Sequence, residues 1–443
     1  MNFSKGKIFQ PMVRFAIPIL GALFLQNMYG AVDMMVVGQF ATAADVSAVS
    51  TGSWLMNLVV CVIVGLSMGT TVMLGRKIGE DHPQEGGKII GASIALFAVL
   101  ALVVTVVMEL FSVQLVHIMQ MPAEAVDAAV AYLRICSAGA VFIVAYNVLG
   151  SIFKGIGNSK IPLLTVTIAC VVNIIGDLVL VGGLHMAAAG AAIATVLAQA
   201  VSVVLSLLLI RNQKFPFTLK KEDIRFDGKW IAPVVRIGLP VAFQDFLVSI
   251  SFLVIPAIVN SLGVTPSAGV GVAEKLCGFI MLVPSAFSQT MSAYVSQNMG
   301  AGEYDRAKKG LFYGIATSFA VGVVMFYLAF FHGDAMSRLF AKDPEVVLAS
   351  AQYLKSYAID CLLTSFLFCL IGYFNGCGRT TFVLIQGLTG AFGVRIPVSY
   401  FMSKVVPVSL FKIGLATPCS SFVQIVLCMV YLIYIEKKRK SRE

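Results

Sequence analysis

Apolar runs recur along the whole chain, and short polar segments separate them. Each run holds about 20 residues, the length that an α-helix needs to cross a bilayer. The pattern therefore predicts an all-α polytopic membrane protein with twelve transmembrane helices. We place the predicted spans at 13–37, 49–74, 89–111, 130–152, 161–182, 187–210, 231–260, 268–295, 310–331, 350–373, 381–403 and 411–435.

Composition supports a chain surrounded by lipid. Of its 443 residues 58% are hydrophobic and only 12% are charged. Soluble proteins carry about 25% charged residues, so the charges here are too few to cover a water-exposed surface. Nine cysteines lie singly along the chain and four histidines lie far apart. Neither pattern is typical of a disulfide framework or a metal site, and we expect no metal and no cofactor.

The basic residues predict the orientation. With both termini in the cytoplasm, 24 of the 32 Lys and Arg residues fall on cytoplasmic segments or, as Arg14 and Arg236 do, at the cytoplasmic ends of spans, as the positive-inside rule requires. The net charge of +10 then lies along the cytoplasmic rim. There it attracts anionic lipid headgroups, so the expected partner of this charge is the bilayer and not nucleic acid.

The two halves of the chain repeat each other at a lag of 221–222 residues. "VRFAIPI" at 13–19 aligns with "VRIGLPV" at 235–241, and "FKGIGNS" at 153–159 aligns with "FNGCGRT". Each half holds six spans, so both enter and leave the membrane on one side, which makes them parallel repeats. We predict an N-lobe (1–210), a cytoplasmic linker (211–230) and a C-lobe with a basic tail (231–443) around a central cavity. This is the architecture of a secondary transporter. The sequence contains no nucleotide-binding motif, so we expect ion gradients to supply the energy for transport.

A carboxylate inside the first span is the strongest candidate for chemistry. Asp33 follows Pro18, which we expect to kink the helix, by 15 residues, or roughly 22 Å of helix. Asp177 follows Pro162 in the fifth span by the same number of residues. Two acids at one level in a low dielectric resist double ionisation, and a cation or proton relieves that conflict. Helix-bridging hydrogen bonds are the alternative role of such groups. Three more polar residues share this level: Gln26, Asn173 and Thr195.

Several stretches closely resemble the multidrug and toxic compound extrusion (MATE) family over the full length. They are "VDMMVVGQF", "NVLGSIFKGIGNSKIP", "NIIGDLVLVGG" and "AAGAAIATVLAQ". The resemblance implies cation-coupled export of organic, often cationic drugs, and "VAEKLCGFIMLVPSAFSQTMSAYVSQNMGAG" resembles bacterial members. It implies a monomer in the plasma (inner) membrane of a bacterium. It also implies that the coupling residues are Asp33, Asp177, Asn173, Gln26, Thr195 and, with a weaker match because we place it lower, Asn147. Pro18 matches the family's bending proline.

The C-lobe departs from some family branches. Those branches carry acids on spans seven and ten, but neither Asp245 nor Asp360 falls convincingly on those positions. By the repeat, Asp33 corresponds to Ile255 and Asp177 to about Val398. Glu274 and Lys275 are adjacent in sequence, and they either form a local ion pair or contact the substrate. Arg395 lies within a predicted span and is expected to pair with an acid such as Asp360. The candidate residues of the substrate cavity are Asn27, Tyr132, Gln244, Asp245, Glu274, Asp360 and Arg395.

Other functions remain open from the sequence. A flippase for lipid-linked sugars, or a metabolite exporter of the same superfamily, is the main alternative, although a pyrophosphate calls for a more basic cavity. A membrane-embedded enzyme would need convergent His, Cys or acidic ligands, which are not visible. A channel more often builds its symmetry from subunits, and a membrane scaffold leaves the duplicated lobes unexplained. Neither the drug nor the choice between H⁺ and Na⁺ follows from the residues.

Overall fold

The computed structural model describes residues 2–82, 84–212, 217 and 219–441. Its helices are α1 (Phe9–Phe40), α2 (Ala43–Gly79), α3 (Glu85–Ile118), α4 (Ala123–Ala138), α5 (Ala140–Gly155), α6 (Lys160–Asp177), α7 (Ala187–Asn212), α8 (Gly228–Asn260), α9 (Val264–Ile280), α10 (Leu282–Gly300), α11 (Tyr304–Phe331), α12 (Gly333–Ser337), α13 (Pro344–Gly376), α14 (Thr380–Leu388), α15 (Ile396–Lys404), α16 (Leu410–Gly414) and α17 (Ala416–Lys440). Within the described residues, eleven helical segments are long and apolar enough to cross a membrane. The helices α4 and α5 form a bent pair, and if this pair is counted as one span, the number of spans is twelve. The all-α polytopic fold class is therefore confirmed.

Some predicted spans are interrupted helices. The predicted span 130–152 is α4 and α5, which meet at Gly139 at an angle of 55°. The fifth span continues from α6 into a π-helical segment, Leu178–Gly183, and the eleventh span contains a second one, Thr389–Arg395. Such segments insert residues into a helix and commonly mark functional sites. Here both occur in the spans that the repeat pairs with each other.

Some helices, such as α2 and α13, start earlier than the apolar runs because their first turns are polar. Helix α2 begins after Thr42, whose hydroxyl accepts a hydrogen bond from the backbone N–H of Asp45 at 3.3 Å while the Asp45 carboxylate accepts from Thr42 N–H at 3.1 Å. This reciprocal arrangement is a capping box. Helix α13 begins after Asp343, whose side chain accepts from the Glu345 N–H at 2.9 Å. A search for apolar residues alone does not include these capped turns.

The chain forms two compact units whose limits differ from those of the predicted lobes. Unit 1 contains the N-terminal residues through Lys5, Val13–Ala242 and Ser296–Gly302. Unit 2 contains Gly6–Met12, Phe243–Val295 and the chain from Glu303 onward. The first part of α8 and the end of α10 thus belong to unit 1, although the sequence repeat assigns both to the C-lobe. The predicted linker is occupied in part by the end of α7, a 3₁₀ turn at Lys221–Asp223 and the start of α8, and its residues 213–216 and 218 lie outside the described residues.

Glycines explain why those segments pack in unit 1. A Cβ atom built on Gly69 of α2 would lie 2.0 Å from the carbonyl oxygen of Val234 on α8. In the same way, a Cβ on Gly238 would lie 2.2 Å from the Leu66 carbonyl oxygen, and one on Gly79 would lie 2.0 Å from the Gln297 carbonyl oxygen. Only residues without a side chain allow helix backbones to approach this closely. We call this close packing of α2 against α8 and the end of α10 the α2 seam.

The N-terminal segment is anchored in unit 1. Phe3 is 1% exposed, and its ring meets that of Phe15 edge to face, with the centroids 5.1 Å apart. Its backbone N–H donates to Oε1 of Gln297 at 3.0 Å, and Nε2 of the same glutamine donates to the carbonyl of Gly155 at 3.1 Å. One buried side chain therefore joins the N-terminal segment to the end of α5.

Unit 2 is built around α13. Ile255 of α8, Ala273 of α9 and Cys361 of α13 are buried in one apolar cluster. At the surface, Arg439 of α17 donates to the Asp305 carboxylate of α11 at 2.9 Å. None of the nine cysteines, all of which lie in the part of the chain that the structure describes, forms a disulfide bond.

Candidate ion-coupling site

Asp33 lies on α1, which runs unbroken through Pro18. Its side chain is buried, and its Oδ2 accepts a hydrogen bond of 3.3 Å from the Thr195 hydroxyl of α7. Thr195 is far away in sequence, so this bond fixes one side of the carboxylate across two helices. The other oxygen, Oδ1, is buried and has no hydrogen-bond partner.

The second acid comes from α6. Asp177 is the last residue of that helix, where the π-helical segment begins, and Asn173 lies one turn before it. Both side chains are completely buried and lie beside Asp33. Neither oxygen of Asp177 nor either polar atom of the Asn173 amide has a hydrogen-bond partner. The structure thus brings Asp33, Asp177, Asn173 and Thr195 together, with several buried polar atoms left unsatisfied.

No basic side chain among the described residues pairs with these two acids. In the described parts of the chain, no Lys, Arg or His nitrogen lies within 4.0 Å of Asp33 or Asp177. An unpaired charge at the centre of a bilayer costs at least about 2.5–3.5 kcal/mol, and two adjoining carboxylates also repel each other. Oxygen atoms from two acids, an amide and a hydroxyl are suited to holding one small cation or one shared proton. No group of three His, Cys, Asp or Glu side chains that could hold a metal ion occurs among the described residues.

The other sequence candidates in unit 1 have different partners. Gln26 Nε2 donates to the Tyr146 hydroxyl at 2.5 Å, and Asn147 donates to the carbonyl of Ile143 on its own helix at 2.8 Å. Of the cavity candidates, Asn27 is exposed and donates to the carbonyl of Leu23 at 3.1 Å. Within the described residues, neither Gln26 nor Asn147 is hydrogen-bonded to the acids, and their role at the acid pair stays a prediction.

Tyr132, a predicted residue of the substrate cavity, is a neighbour of Asp33. Its hydroxyl lies 2.9 Å from that of Ser53, and its side chain is within electrostatic range of Asp33. Tyr29 is a further neighbour of Asp33 that the sequence reasoning missed. It precedes Asp33 by four residues, and this spacing puts two side chains on one face of a helix, so the spacing could have identified it.

The unit 2 candidates contain a buried guanidinium. Arg395 Nη1 donates to the Ser251 hydroxyl at 2.8 Å, and its guanidinium carbon lies 3.9 Å from the centre of the Phe252 ring. Asp360 is as deeply buried, but the expected direct ion pair with Arg395 is not formed within 4.0 Å.

The remaining candidates of unit 2 are placed as follows. Gln244 is buried, with its side chain against Gly387 of α14, and Asp245 and Glu274 are partly buried. Glu274 forms no ion pair with Lys275 within 4.0 Å among the described residues. The expectation of a local ion pair at this point is therefore not met, and a substrate role for Glu274 stays a prediction.

A many-span helical fold with ionisable side chains buried in its spans is typical of a membrane transporter. The sequence model of the MatE family matches residues 18–179 and again residues 240–401. The chain therefore belongs to the MatE family, a family of transporters and not of enzymes. The two matches, one in each half, also agree with the internal repeat.

Bacterial relatives match over nearly the whole chain. "Probable multidrug resistance protein YoeA" of Bacillus subtilis (strain 168) is 23% identical over 99% of this chain and 96% of its own length. "Multidrug export protein MepA" of Staphylococcus haemolyticus (strain JCSC1435) is 24% identical over 91% of this chain and 88% of its own.

Solved structures show the same fold. One is described as the outward-facing conformation of a multidrug resistance MATE family transporter of the MOP superfamily. It has a TM-score of 0.91 at 19% identity and covers 98% of both chains. Another, described as MATE in the bent conformation, has a TM-score of 0.92 at 19% identity and covers 99% of this chain and 98% of its own.

Proposed function

We propose that the chain exports organic, cationic and amphipathic drugs in exchange for H⁺ or Na⁺, and that Asp33 and Asp177 are its coupling site. The observation that carries this proposal is that two buried carboxyl side chains are neighbours and have no basic partner among the described residues. Such a pair is stable only when something neutralises it, and an exchangeable ion can do so reversibly. The relatives' names, which refer to multidrug resistance and export, support the substrate class.

Coupling follows from two states of one site. When a cation or proton neutralises Asp33 and Asp177, the repulsion between their helices disappears, so α1 and α6 can pack closer and α1 can bend at Pro18. When the ion leaves, repulsion favours the straight helix. In this scheme the drug binds better to the ion-free state, and the ion favours the other state. Each of them therefore weakens the binding of the other. Each shifts the equilibrium only by its difference in affinity for the two states.

The ion must reach the site from outside the cell and leave it inside. We therefore place both termini, and the residues between α7 and α8, in the cytoplasm of a bacterium, with the protein in its plasma membrane. The support for this orientation is the excess of basic residues on these segments. In this orientation, inward movement of the ion down its gradient drives outward movement of the drug.

Transport in proteoliposomes tests the proposal. Purified protein is reconstituted, a Na⁺ gradient or a pH gradient is imposed separately, and movement of ethidium, a cationic dye, is followed by fluorescence. We expect one gradient to drive dye movement, and we expect Asp33→Asn and Asp177→Asn to reduce it to the level of protein-free liposomes. Asp127→Asn, which neutralises an exposed acid of α4, is the control and should retain full transport.

Binding to the purified protein separates coupling from transport. Dye affinity is measured across Na⁺ concentration and across pH. We expect affinity to fall as the coupling ion increases, and we expect this dependence to disappear in Asp33→Asn because its amide is permanently neutral. Dye affinity that is indifferent to both ions would contradict the mechanism even if Asp33 proved essential for transport.

A further inference from the structure

Basic side chains are concentrated at one end of unit 2, where α17 ends and α11 begins. The last turn of α17 carries four of them. The two family matches are 222 residues apart, and this offset pairs α17 with α7 of unit 1, whose last turn carries only Arg211. The first two turns of α11 add Arg306, Lys308 and Lys309.

Two ion pairs and one aromatic contact join these helix ends. Lys308 Nζ pairs with the carboxylate of Glu436, and Arg439 Nη2 lies 2.9 Å from Oδ1 of Asp305. The guanidinium carbon of Arg439 also lies 5.5 Å from the centre of the Tyr304 ring. The end of α17 and the start of α11 therefore present their remaining side chains as one surface.

The N-terminal part of unit 2 extends this surface. The guanidinium of Arg306 donates to the carbonyl oxygen of Gly6 at 2.8 Å and to that of Lys7 at 3.3 Å. We call the resulting set of eight basic residues the basic patch: Lys7, Arg306, Lys308, Lys309, Lys437, Lys438, Arg439 and Lys440. The acids on the same segments are three, Glu303, Asp305 and Glu436, so the net charge here is +5.

Most of this charge is not used in ion pairs within the protein. Five exposed lysines of the basic patch have no carboxylate within 4.0 Å among the described residues: Lys7, Lys309, Lys437, Lys438 and Lys440. Both acids that lie between the two helices already have a basic partner. The basic patch therefore has an excess of positive charge that an anion from outside the chain can balance.

The corresponding region of unit 1 is different. Lys77 of α2 bridges the carboxylates of Glu80 and Glu85, at 2.7 and 2.8 Å. Residues 77–88 carry two lysines and three acids, so this region has no excess of positive charge. The exposed Lys88 lies on α3 at the repeat position of Lys309, 221 residues earlier. The basic patch is thus a property of unit 2 and not of the repeat.

Exposed aromatic rings place the basic patch at the boundary of the bilayer. Both α11 and α17 belong to helical segments that are apolar and long enough to cross a membrane. Tyr304 and Tyr434 are exposed at the ends of these segments, and Lys438 Nζ lies 5.8 Å from the centre of the Tyr434 ring. Tyrosine is enriched where hydrocarbon meets the headgroups. The neighbouring lysines therefore lie at the depth of lipid phosphates.

We propose that the basic patch is a binding site for the phosphate headgroups of anionic phospholipids. Clusters of four to eight Lys and Arg residues beside a transmembrane helix attract such headgroups, each residue adding to the affinity. The lysines of α11 and α17 bind the phosphates, while the two ion pairs keep the helix ends together. The inference uses only contacts within unit 2 and does not depend on the coupling site.

Lipid binding to the purified full-length chain tests the proposal. Native mass spectrometry counts bound lipids while phosphatidylglycerol, or zwitterionic phosphatidylcholine, is titrated. The site variant combines Lys309→Gln, Lys437→Gln and Lys440→Gln, none of which breaks an ion pair. The control removes three exposed lysines of unit 1 by Lys88→Gln, Lys220→Gln and Lys221→Gln.

We expect the site variant to bind phosphatidylglycerol at least about tenfold more weakly than the parent chain, and the control to change by less than about twofold. Phosphatidylcholine binding should change in neither. Replacing the three site lysines by arginine should keep the affinity, because the charge is kept. If the glutamine variant cannot be purified, each single substitution should weaken phosphatidylglycerol binding by about two- to fivefold.

Three outcomes would overturn the proposal. Equal losses in the site variant and the control would mean that the bilayer attracts the whole basic rim without a site in unit 2. Equal affinity of the parent chain for the two lipids would mean that the lysines are only a solvated surface. Displacement of phosphatidylglycerol by an equal concentration of inorganic phosphate would mean that the basic patch binds free anions and not a lipid.

Discussion

The α2 seam gives a quantitative prediction for Gly69→Ala. The added Cβ would lie 2.0 Å from the Val234 carbonyl oxygen and 2.9 Å from its carbon. Both atoms belong to the backbone of α8, so no side-chain rotation can make room and the two helices must move apart. Overpacking of this kind costs about 1–3 kcal/mol, and the higher helix propensity of alanine offsets roughly 1 kcal/mol of it.

A matched control isolates the packing effect. Gly150 lies on α5, and a Cβ built there has nothing within 4 Å. Gly150→Ala gains the same propensity without the clash, so the two variants should differ in stability by about 1–3 kcal/mol. The assay is Tm of each purified variant in detergent, with Gly238→Ala as a second test of the seam from the α8 side. A Gly69→Ala protein as stable as Gly150→Ala would refute the reasoning.

Three further predictions use other regions of the chain. A cysteine introduced by Lys220→Cys should be labelled by an impermeant thiol reagent in inside-out vesicles. In intact cells the variant should be labelled no more than the parent chain, and stronger labelling from outside would contradict the cytoplasmic orientation. Asp33→Asn should abolish ion-coupled dye export in proteoliposomes, while Asp360→Asn should keep a measurable part, and equal losses would mean that the two halves share coupling. Phe3→Ala should lower the free energy of unfolding by about 3–5 kcal/mol because a buried ring is lost, seen as a lower Tm, whereas Phe9→Ala, at a side chain 51% exposed, should change it little.

Hydropathy predicted where the helices are but not where they break. Every apolar run became a helix or a pair of helices because a chain in lipid must satisfy its backbone hydrogen bonds internally. The bend at Gly139 lies inside the apolar run 130–152, and the short stretch "CSAGAVF" does not interrupt that run. The π-helical segments were missed for the same reason, since an inserted residue leaves an apolar run apolar.

The acid pair could be predicted because the number of residues between a proline near the cytoplasmic end of a span and an acid gives the depth of that acid in the membrane. That count placed Asp33 and Asp177 at the same level, and the structure places their side chains together. Contacts that depend on helix rotation could not be predicted in the same way. Gln26 lies on α1 with Asp33 but bonds to Tyr146. The seam glycines also need partners far away in sequence, such as Val234 for Gly69.

The anchored N-terminal segment has a consequence for the order of biosynthesis. Phe3 leaves the ribosome 294 residues before its partner Gln297. At about 5–20 residues per second, Phe3 waits for at least roughly 15 s while nearly eight helical spans are made and inserted. Unit 1 therefore cannot be completed in chain order, because its earliest segment reaches its final position only after a segment from the second half of the chain has emerged.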